Sequence, residues 1–305
     1  NNYAVKDISF TVGDREIVGF LGPNGAGKST TMNILTGYLS STDGYVEIDG
    51  HDILEDSDAA KRSVGYLPEI PPLYMDMTVK EYLNFVYDLK RCKLNREKHI
   101  MEIINVVKIE DVYNRLISNL SRGYRQRVGI AQALVGNPKV IILDEPTAVL
   151  TPQETEQLFK QLRILRDAQH TIVIITHKLK EMKELCDRIT IMRQGKTMGV
   201  VNVCDVTEQQ ISELMVGGTV RLKVDKADVQ PGEIVAEMKA VTVPGAGKPK
   251  LDCVSLTARA GEILCLAGVE GNGQQQAIEC LTGQIGYQGS VTVLGEEVRG
   301  KSIRR

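Results

Sequence analysis

No apolar run in this chain approaches the roughly 20 residues that a helical membrane span requires. The first residues carry no basic stretch followed by an apolar one of the kind that directs secretion. The expectation is a soluble chain that reaches a membrane only through another protein. Charge of one sign is lacking too: 37 Lys and Arg against 39 Asp and Glu leave a net charge of −2, with both signs mixed along the sequence. Without a basic tail or stripe, no direct nucleic-acid binding is expected. Six cysteines (Cys92, Cys186, Cys204, Cys253, Cys265 and Cys280) form no CxxC pair and share no metal-ligand spacing with the four histidines. They read as reduced, mostly buried thiols. The length, 305 residues, predicts about two structural units with a sizeable core.

What the chain does have is Gly22-Pro23-Asn24-Gly25-Ala26-Gly27-Lys28-Ser29-Thr30, directly after the apolar run Ile17 to Leu21. The glycines allow backbone angles that turn successive N–H groups inward around phosphate oxygens, and a helix starting at Lys28 aims its positive end at the same anion. Lys28 can then reach the β- and γ-phosphates, and the Ser29 hydroxyl can sit on Mg²⁺. By itself the pattern also fits an ordinary glycine-rich strand-to-helix turn. A second motif weighs against that. Val140 to Leu143 is a short apolar run of buried parallel-strand type, and it ends in Asp144-Glu145-Pro146. At such a strand end Asp144 can hold Mg²⁺ and Glu145 can accept a proton from an attacking water. Together the two motifs predict binding and hydrolysis of a nucleoside triphosphate.

The chain also repeats itself at a fixed offset. Ile8-Ser9-Phe10 aligns with Val254-Ser255-Leu256, Glu16-Ile17 with Glu262-Ile263, and Leu35-Thr36-Gly37 with Leu281-Thr282-Gly283. Gly22, Gly25 and Gly27 fall on Gly268, Gly271 and Gly273, as a duplicated domain would require. In the second copy Lys28 becomes Gln274, and Ser29 and Thr30 become Gln275 and Gln276. That loop keeps backbone groups for phosphate but lacks the cation and the hydroxyl for Mg²⁺. The expected organisation is a nucleotide-hydrolysing domain over 1–217, a polar linker over 218–232, and a truncated second domain with a degenerate phosphate loop over 233–305.

Leu120-Ser121-Arg122-Gly123-Tyr124-Arg125-Gln126-Arg127, lying just before the Asp144 strand, resembles the signature of the ATP-binding cassette family, usually written LSGGQ. Arg122 and Tyr124 depart from it. The resemblance implies that Ser121 and the Gly123 N–H bind the γ-phosphate of ATP held by a partner cassette. His177, closing the apolar run from Thr171, resembles the switch histidine that contacts the γ-phosphate. His51, His99 and His170 read as structural. Tyr66-Leu67-Pro68-Glu69 resembles the Q-loop with Glu69 in place of glutamine; Glu69 then ligates Mg²⁺ or, alternatively, is a solvent-facing loop acid. Thr78-Val79-Lys80-Glu81 has the form of a capping box opening a helical subdomain of about 75–130. The aromatics Tyr82, Phe85 and Tyr87 read as core. The family's adenine-stacking aromatic has no good match, since Tyr3 is out of register.

The resemblance implies an α/β fold: a P-loop parallel sheet with an antiparallel β subdomain and a helical subdomain, followed by a partial second copy. It implies a Mg²⁺-dependent ATPase, peripheral on the cytoplasmic face of a membrane, that works as a cassette dimer on a transmembrane permease subunit. Residues 1–147 resemble single-cassette subunits of exporters. Residues 148–305 resemble fused double-cassette subunits of sugar and nucleoside importers, with the change near Asp144 to Thr147. Import of a sugar or nucleoside leads; an exporter ATPase, or a soluble cassette ATPase acting on ribosomes or DNA, is the alternative.

Overall fold

The structure, a computed structural model, describes residues 3–219, 230–245, 247–268 and 271–299. It divides into two compact units, Asn1–Leu222 and Lys223–Arg305. Most of the expected linker, residues 220–229, lies outside the described residues, as do Val269 and Glu270 of the second glycine-rich loop.

The first unit opens with β1 (Ile17–Leu21), α1 (Lys28–Leu35), the two-residue strands β2 (Glu47–Ile48) and β3 (His51–Asp52), α2 (Ser57–Arg62) and β4 (Val64–Leu67). The helices α3 (Val79–Leu89), α4 (Arg96–Val107) and α5 (Arg122–Leu134) follow, then β5 (Val140–Asp144), α6 (Pro152–Asp167) and β6 (Thr171–Ile175). It closes with α7 (Leu179–Leu185), β7 (Arg188–Arg193), β8 (Lys196–Asn202) and α8 (Glu208–Val216). Six strands form one sheet in the order β4-β5-β6-β1-β7-β8, parallel except for the edge strand β8. Every residue of β1 and of β6 is buried, as expected of parallel strands covered on both faces.

Side chains of β1 alternate between the two faces. Ile17 and Leu21 join a core with α3 to α6, whereas Val18 and Phe20 pack with Met32, Ile48 and Ile53 on the other side. Because β1 pairs in parallel with β6, β6 with β5 and β5 with β4, the C-terminal ends of these four strands share one edge. Ligands of open α/β sheets bind at such an edge.

The capping box of α3 forms as expected. Glu81 N–H donates to Thr78 Oγ1 at 3.2 Å, and Thr78 N–H donates to Glu81 Oε2 at 2.8 Å. Tyr82 and Tyr87 are buried, but Phe85 is 37% exposed and Leu89 69% exposed. The buried stripe of α3 runs through positions 79, 82, 83, 86 and 87; Phe85 lies off it, touching Tyr74 edge-on with ring centroids 5.4 Å apart. Among the described residues of this unit the antiparallel strand pairs are β2–β3 and β7–β8, with one isolated antiparallel bridge between Thr78 and Leu116.

The second unit holds a four-stranded antiparallel sheet in the order β10-β9-β11-β12, built from β9 (Ile234–Val243), β10 (Leu251–Arg259), β11 (Gln288–Val293) and β12 (Glu296–Glu297). One helix, α9 (Gln274–Leu281), packs on it through Ala277 and Cys280. The repeat survives in detail at the helix start. Gly27 (φ 96°, ψ 6°) and Gly273 (φ 98°, ψ 0°) adopt the same left-handed conformation. A Cβ on Gly27 would meet Val5 Cγ1 and Ala4 O; on Gly273 it would meet Leu251 Cδ2 and Lys250 O, the same two positions of the repeat.

The strand before it does not survive. The positions that correspond to β1 form no strand, and Ile263 is 91% exposed where Ile17 is fully buried. A strand in the middle of a sheet needs neighbours to take its N–H and C=O groups, and β1 takes its own from β6 and β7. Among the described residues of the second unit nothing pairs with 262–268. The cysteines are not mostly buried: Cys186 and Cys280 are buried and Cys92 half-buried, but Cys204, Cys253 and Cys265 are exposed, Cys265 because its segment has no paired strand among the described residues.

Candidate functional site

The loop leaving β1 is shaped by close approach. A Cβ on Gly22 would run into the carbonyl of Met192, and Gly25 and Gly27 have φ of 78° and 96°, which side chains adopt only with strain. The loop closes on itself through Ala26 N–H to Pro23 O at 3.1 Å and is tied to the β7–β8 turn by Gly195 N–H to Ala26 O at 3.1 Å. Pro23, Asn24 and Gly25 are exposed around its rim. Lys28 is 8% exposed, and its ammonium donates to Gly22 O at 2.6 Å and Pro23 O at 3.2 Å. Burial lowers its pKa, opposed by the charges of Glu145 and Asp144. Next along α1, Ser29 is exposed and Thr30 half-buried.

Asp144, the last residue of β5, is 6% exposed. Burial first, then the nearby Glu145 and Glu69 carboxylates, push its pKa up to about 6 against the pull of Lys28. Glu69 itself is exposed in the loop after β4. Three carboxylates therefore share one field with a single ammonium, an arrangement that gains from a cation. Among the described residues no group of three or more His, Cys, Asp or Glu forms a metal cage.

Glu145 has φ of 47°, a left-handed conformation that costs a non-glycine residue roughly 1–2 kcal/mol. Its N–H donates to Ile175 O at 2.9 Å, one rung beyond the β5–β6 ladder. Its two carboxylate oxygens differ: Oε1 lies 2.9 Å from His177 Nδ1, while Oε2 is buried without a hydrogen-bond partner among the described residues. Lys28, Asp144, Glu145, His177 and, at the margin, Glu69 are thus brought to one edge of the sheet by four separate strand ends.

Ser121 and Gly123 stand apart from this group, at the start of α5. Ser121 caps the helix, its Oγ accepting from Tyr124 N–H at 3.3 Å. Gly123 is buried beneath Glu154, whose Oε1 would lie 2.5 Å from a Cβ placed there. Tyr124, a departure from the signature pattern, has its own task. Its hydroxyl donates to Asp111 Oδ2 at 2.6 Å while the Arg127 guanidinium lies 5.5 Å from the ring centroid, tying the signature helix to the segment after α4. Of the histidines read as structural, His99 Nε2 accepts from Gly136 N–H at 3.0 Å and His170 Nδ1 lies 2.7 Å from Pro138 O.

Thr147, Lys178 and Glu181 escaped the reading of the sequence as interacting residues. Their hydrogen bonds link the loops that carry Glu145 and His177. The spacing of Lys178 and Glu181, three apart at a helix start, was the available signal; the third member, Thr147, is 31 residues from Lys178 and gave none.

The family model described as ABC transporter matches residues 5–148. Among curated relatives, the nucleoside import ATP-binding protein NupA of Lactococcus lactis subsp. cremoris is 36% identical over 302 residues, covering 95% of this chain and 59% of the relative. The glucose import ATP-binding protein TsgD13 of Haloferax volcanii is 35% identical, over 97% of this chain and 60% of the relative. The ribose import ATP-binding protein RbsA of Bacillus subtilis is 30% identical, over 96% and 62%. This chain spans about three fifths of the length of these relatives, and the alignments run on both sides of Asp144 to Thr147.

Among solved structures, an ATP-binding subunit of an ABC transporter superposes with a TM-score of 0.63 at 26% identity, covering 70% of this chain and 92% of that one. The ATP-binding cassette MJ0796, dimeric in a post-hydrolysis state with ADP and Pi, superposes with a TM-score of 0.60 at 28% identity, over 66% and 91%.

Proposed function

This chain belongs to the ABC transporter family of ATP-binding subunits, and we propose that the domain expected over residues 1–217, within its first unit, binds ATP with Mg²⁺ and hydrolyses it. One observation carries the reading: Glu145 keeps one buried, unpartnered carboxylate oxygen while His177 holds the other, at the strand edge that also carries the glycine-rich loop and Lys28.

In this reading the N–H groups from Gly22 to Thr30 and the Lys28 ammonium take up phosphate charge, Lys28 exchanging its loop carbonyl acceptors for phosphate oxygens. Mg²⁺ when bound neutralises phosphate charge, and Ser29, Asp144 and Glu69 are the residues that would hold it. Glu145 Oε2 accepts the proton of the attacking water. His177 orients that carboxylate through Nδ1 and leaves its other ring nitrogen for the γ-phosphate.

Ser121 and Gly123 complete the site of a second cassette, so turnover requires a dimer. Closure on ATP and reopening after hydrolysis would drive a transmembrane permease that meets the helical part of this chain. No helix among the described residues is long and apolar enough to cross a membrane. The relatives' names, import proteins for nucleoside, glucose and ribose, make uptake of a sugar or nucleoside the favoured task. Residues 233–305 are read as part of a second cassette whose loop, with Gln274 for lysine, contributes little to catalysis.

The test is phosphate release from ATP by the full chain with and without Mg²⁺, alongside Glu145→Gln. We expect Mg²⁺-dependent release by the parent chain and at least a hundredfold loss in the variant, with binding of a fluorescent ATP analogue retained. Turnover retained by Glu145→Gln would remove Glu145 from the role of base.

A further inference from the structure

β5 and β6 lie side by side as far as Asp144 and Ile175, and Glu145 N–H to Ile175 O is the next rung. Beyond it both strands have ended, one leading through Glu145 toward α6 and the other through His177 into α7. A single contact between Glu145 and His177, whose side chain is 59% exposed, is weak support for two loops, because pairs in contact with water contribute little. Glu145 is also held in a conformation that persists only where its surroundings over-determine it. Something further must fix these loops.

A second polar cluster lies just past both residues. Thr147 is fully buried. Its hydroxyl donates to Glu181 Oε2 at 2.5 Å and accepts from Lys178 Nζ at 3.2 Å. The same ammonium donates to Thr147 O at 3.0 Å and pairs with Glu181 Oε1 at 2.9 Å. Lys178 N–H donates in turn to Thr176 Oγ1 at 3.2 Å, which orders the backbone on either side of His177. The Glu181 side chain is 12% exposed and that of Lys178 37% exposed, and both meet at the fully buried Thr147, so the Thr147–Glu181 bond is the best shielded of the set. One leg of the cluster stands two residues after Glu145 and the other one residue after His177.

We infer that Thr147, Lys178 and Glu181 are positioning residues that staple the Glu145 loop to the His177 loop and fix the carboxylate–imidazole geometry. The inference rests on the ATPase reading for its consequence in turnover, but not for its structural content. None of the three acts on ATP itself. With the staple cut, His177 and Glu145 separate while the phosphate loop on β1 is untouched, so hydrolysis falls and nucleotide binding does not.

The experiment compares the full chain with Lys178→Met and Lys178→Arg by nitrogen NMR of the histidine side chains, with His177→Gln used to assign the signal. The parent chain should show His177 with Nδ1 protonated, since a carboxylate only accepts; in Lys178→Met the signal should move toward tautomer averaging, and in Lys178→Arg it should return. In turnover, Lys178→Met should lower kcat roughly 10- to 100-fold, with affinity for a fluorescent ATP analogue changed less than about twofold, and Lys178→Arg should recover most of the rate. Glu181→Gln, which keeps the side-chain shape, should show the same split in milder form. An unchanged His177 signal in Lys178→Met, or an unchanged kcat, overturns the staple. A parent chain that releases no phosphate would instead overturn the hydrolysis reading, and the imidazole signal would still judge the staple.

Discussion

His177 Nδ1 lies 2.9 Å from Glu145 Oε1, joining residues 32 apart in sequence at the ends of two neighbouring parallel strands. This contact makes the two oxygens of Glu145 unequal, one engaged and one buried with no hydrogen-bond partner among the described residues. It follows that His177→Ala should lower kcat for ATP by about two orders of magnitude while an ATP analogue binds within roughly twofold of the parent. Equal losses in binding and rate would mean that the histidine serves affinity instead.

Lys28 is the charged group of the phosphate loop, and its ammonium is already desolvated against the Gly22 and Pro23 carbonyls. Lys28→Ala should weaken binding of a fluorescent ATP analogue at least tenfold, the loss of one charge-assisted contact. Gln274, at the matching position of the second copy, serves as the control: Gln274→Ala should leave affinity unchanged in the same titration.

Asp144 gives a dependence of stability on pH in the protein free of nucleotide and metal. Its pKa rises from 3.8 to about 6 on folding, so between pH 4 and 6 the folded chain keeps a proton that the unfolded chain has lost. Stability at this group therefore falls as pH rises through that window and is fully reduced above it. After allowance for solvent screening the cost at neutral pH is about 1–2 kcal/mol. Asp144→Asn should raise the melting temperature at pH 7.5 by a few degrees, leave it unchanged near pH 4, and abolish Mg²⁺-dependent turnover. An equal shift in melting temperature at both pH values would refute the electrostatic cause.

The two copies of the repeat should respond unequally to the same truncation. Ile17 is fully buried between β6 and β7, and Ile17→Ala should cost about 2–5 kcal/mol. Ile263, its counterpart, is 91% exposed, and Ile263→Ala should stay within about 0.5 kcal/mol. Urea unfolding of the two variants measures both.

Gly123 predicts a change of sign. Alanine in a helix is ordinarily better than glycine by about 0.5–1 kcal/mol, but here its Cβ would displace the Glu154 carboxylate. That carboxylate accepts from Thr151 N–H at 2.9 Å in the capping box of α6, and losing the cap costs about 1 kcal/mol. Gly123→Ala should thus be neutral or destabilising alone and stabilising in a Glu154→Ala background, as read by thermal denaturation of the four proteins of the cycle.

Much of this was legible before the fold was known. The glycines at 22, 25 and 27, the Thr78–Glu81 box and the Asp144-Glu145 strand end are local patterns whose meaning depends on backbone angles and neighbours a few residues away. Phe85 was harder, because a helical period of apolar residues does not say which stripe a neighbouring helix will cover. Cys265 was misread for a similar reason: it sits in an apolar run that reads as core but has no strand paired with it among the described residues.

The sequence by itself determined where the chain must turn, where helices start, and that the second copy lost the cation and hydroxyl of the first. These follow from short-range steric and hydrogen-bonding demands that any fold must meet. Only the tertiary structure decided that Glu145 gives one oxygen to His177 and keeps the other, that Thr147 closes a staple with Lys178 and Glu181, and that Ile17 is buried while Ile263 is not. Each of these depends on groups far apart in the chain, brought together by parallel strand pairing, and burial is conferred by whatever packs alongside rather than by the residue buried.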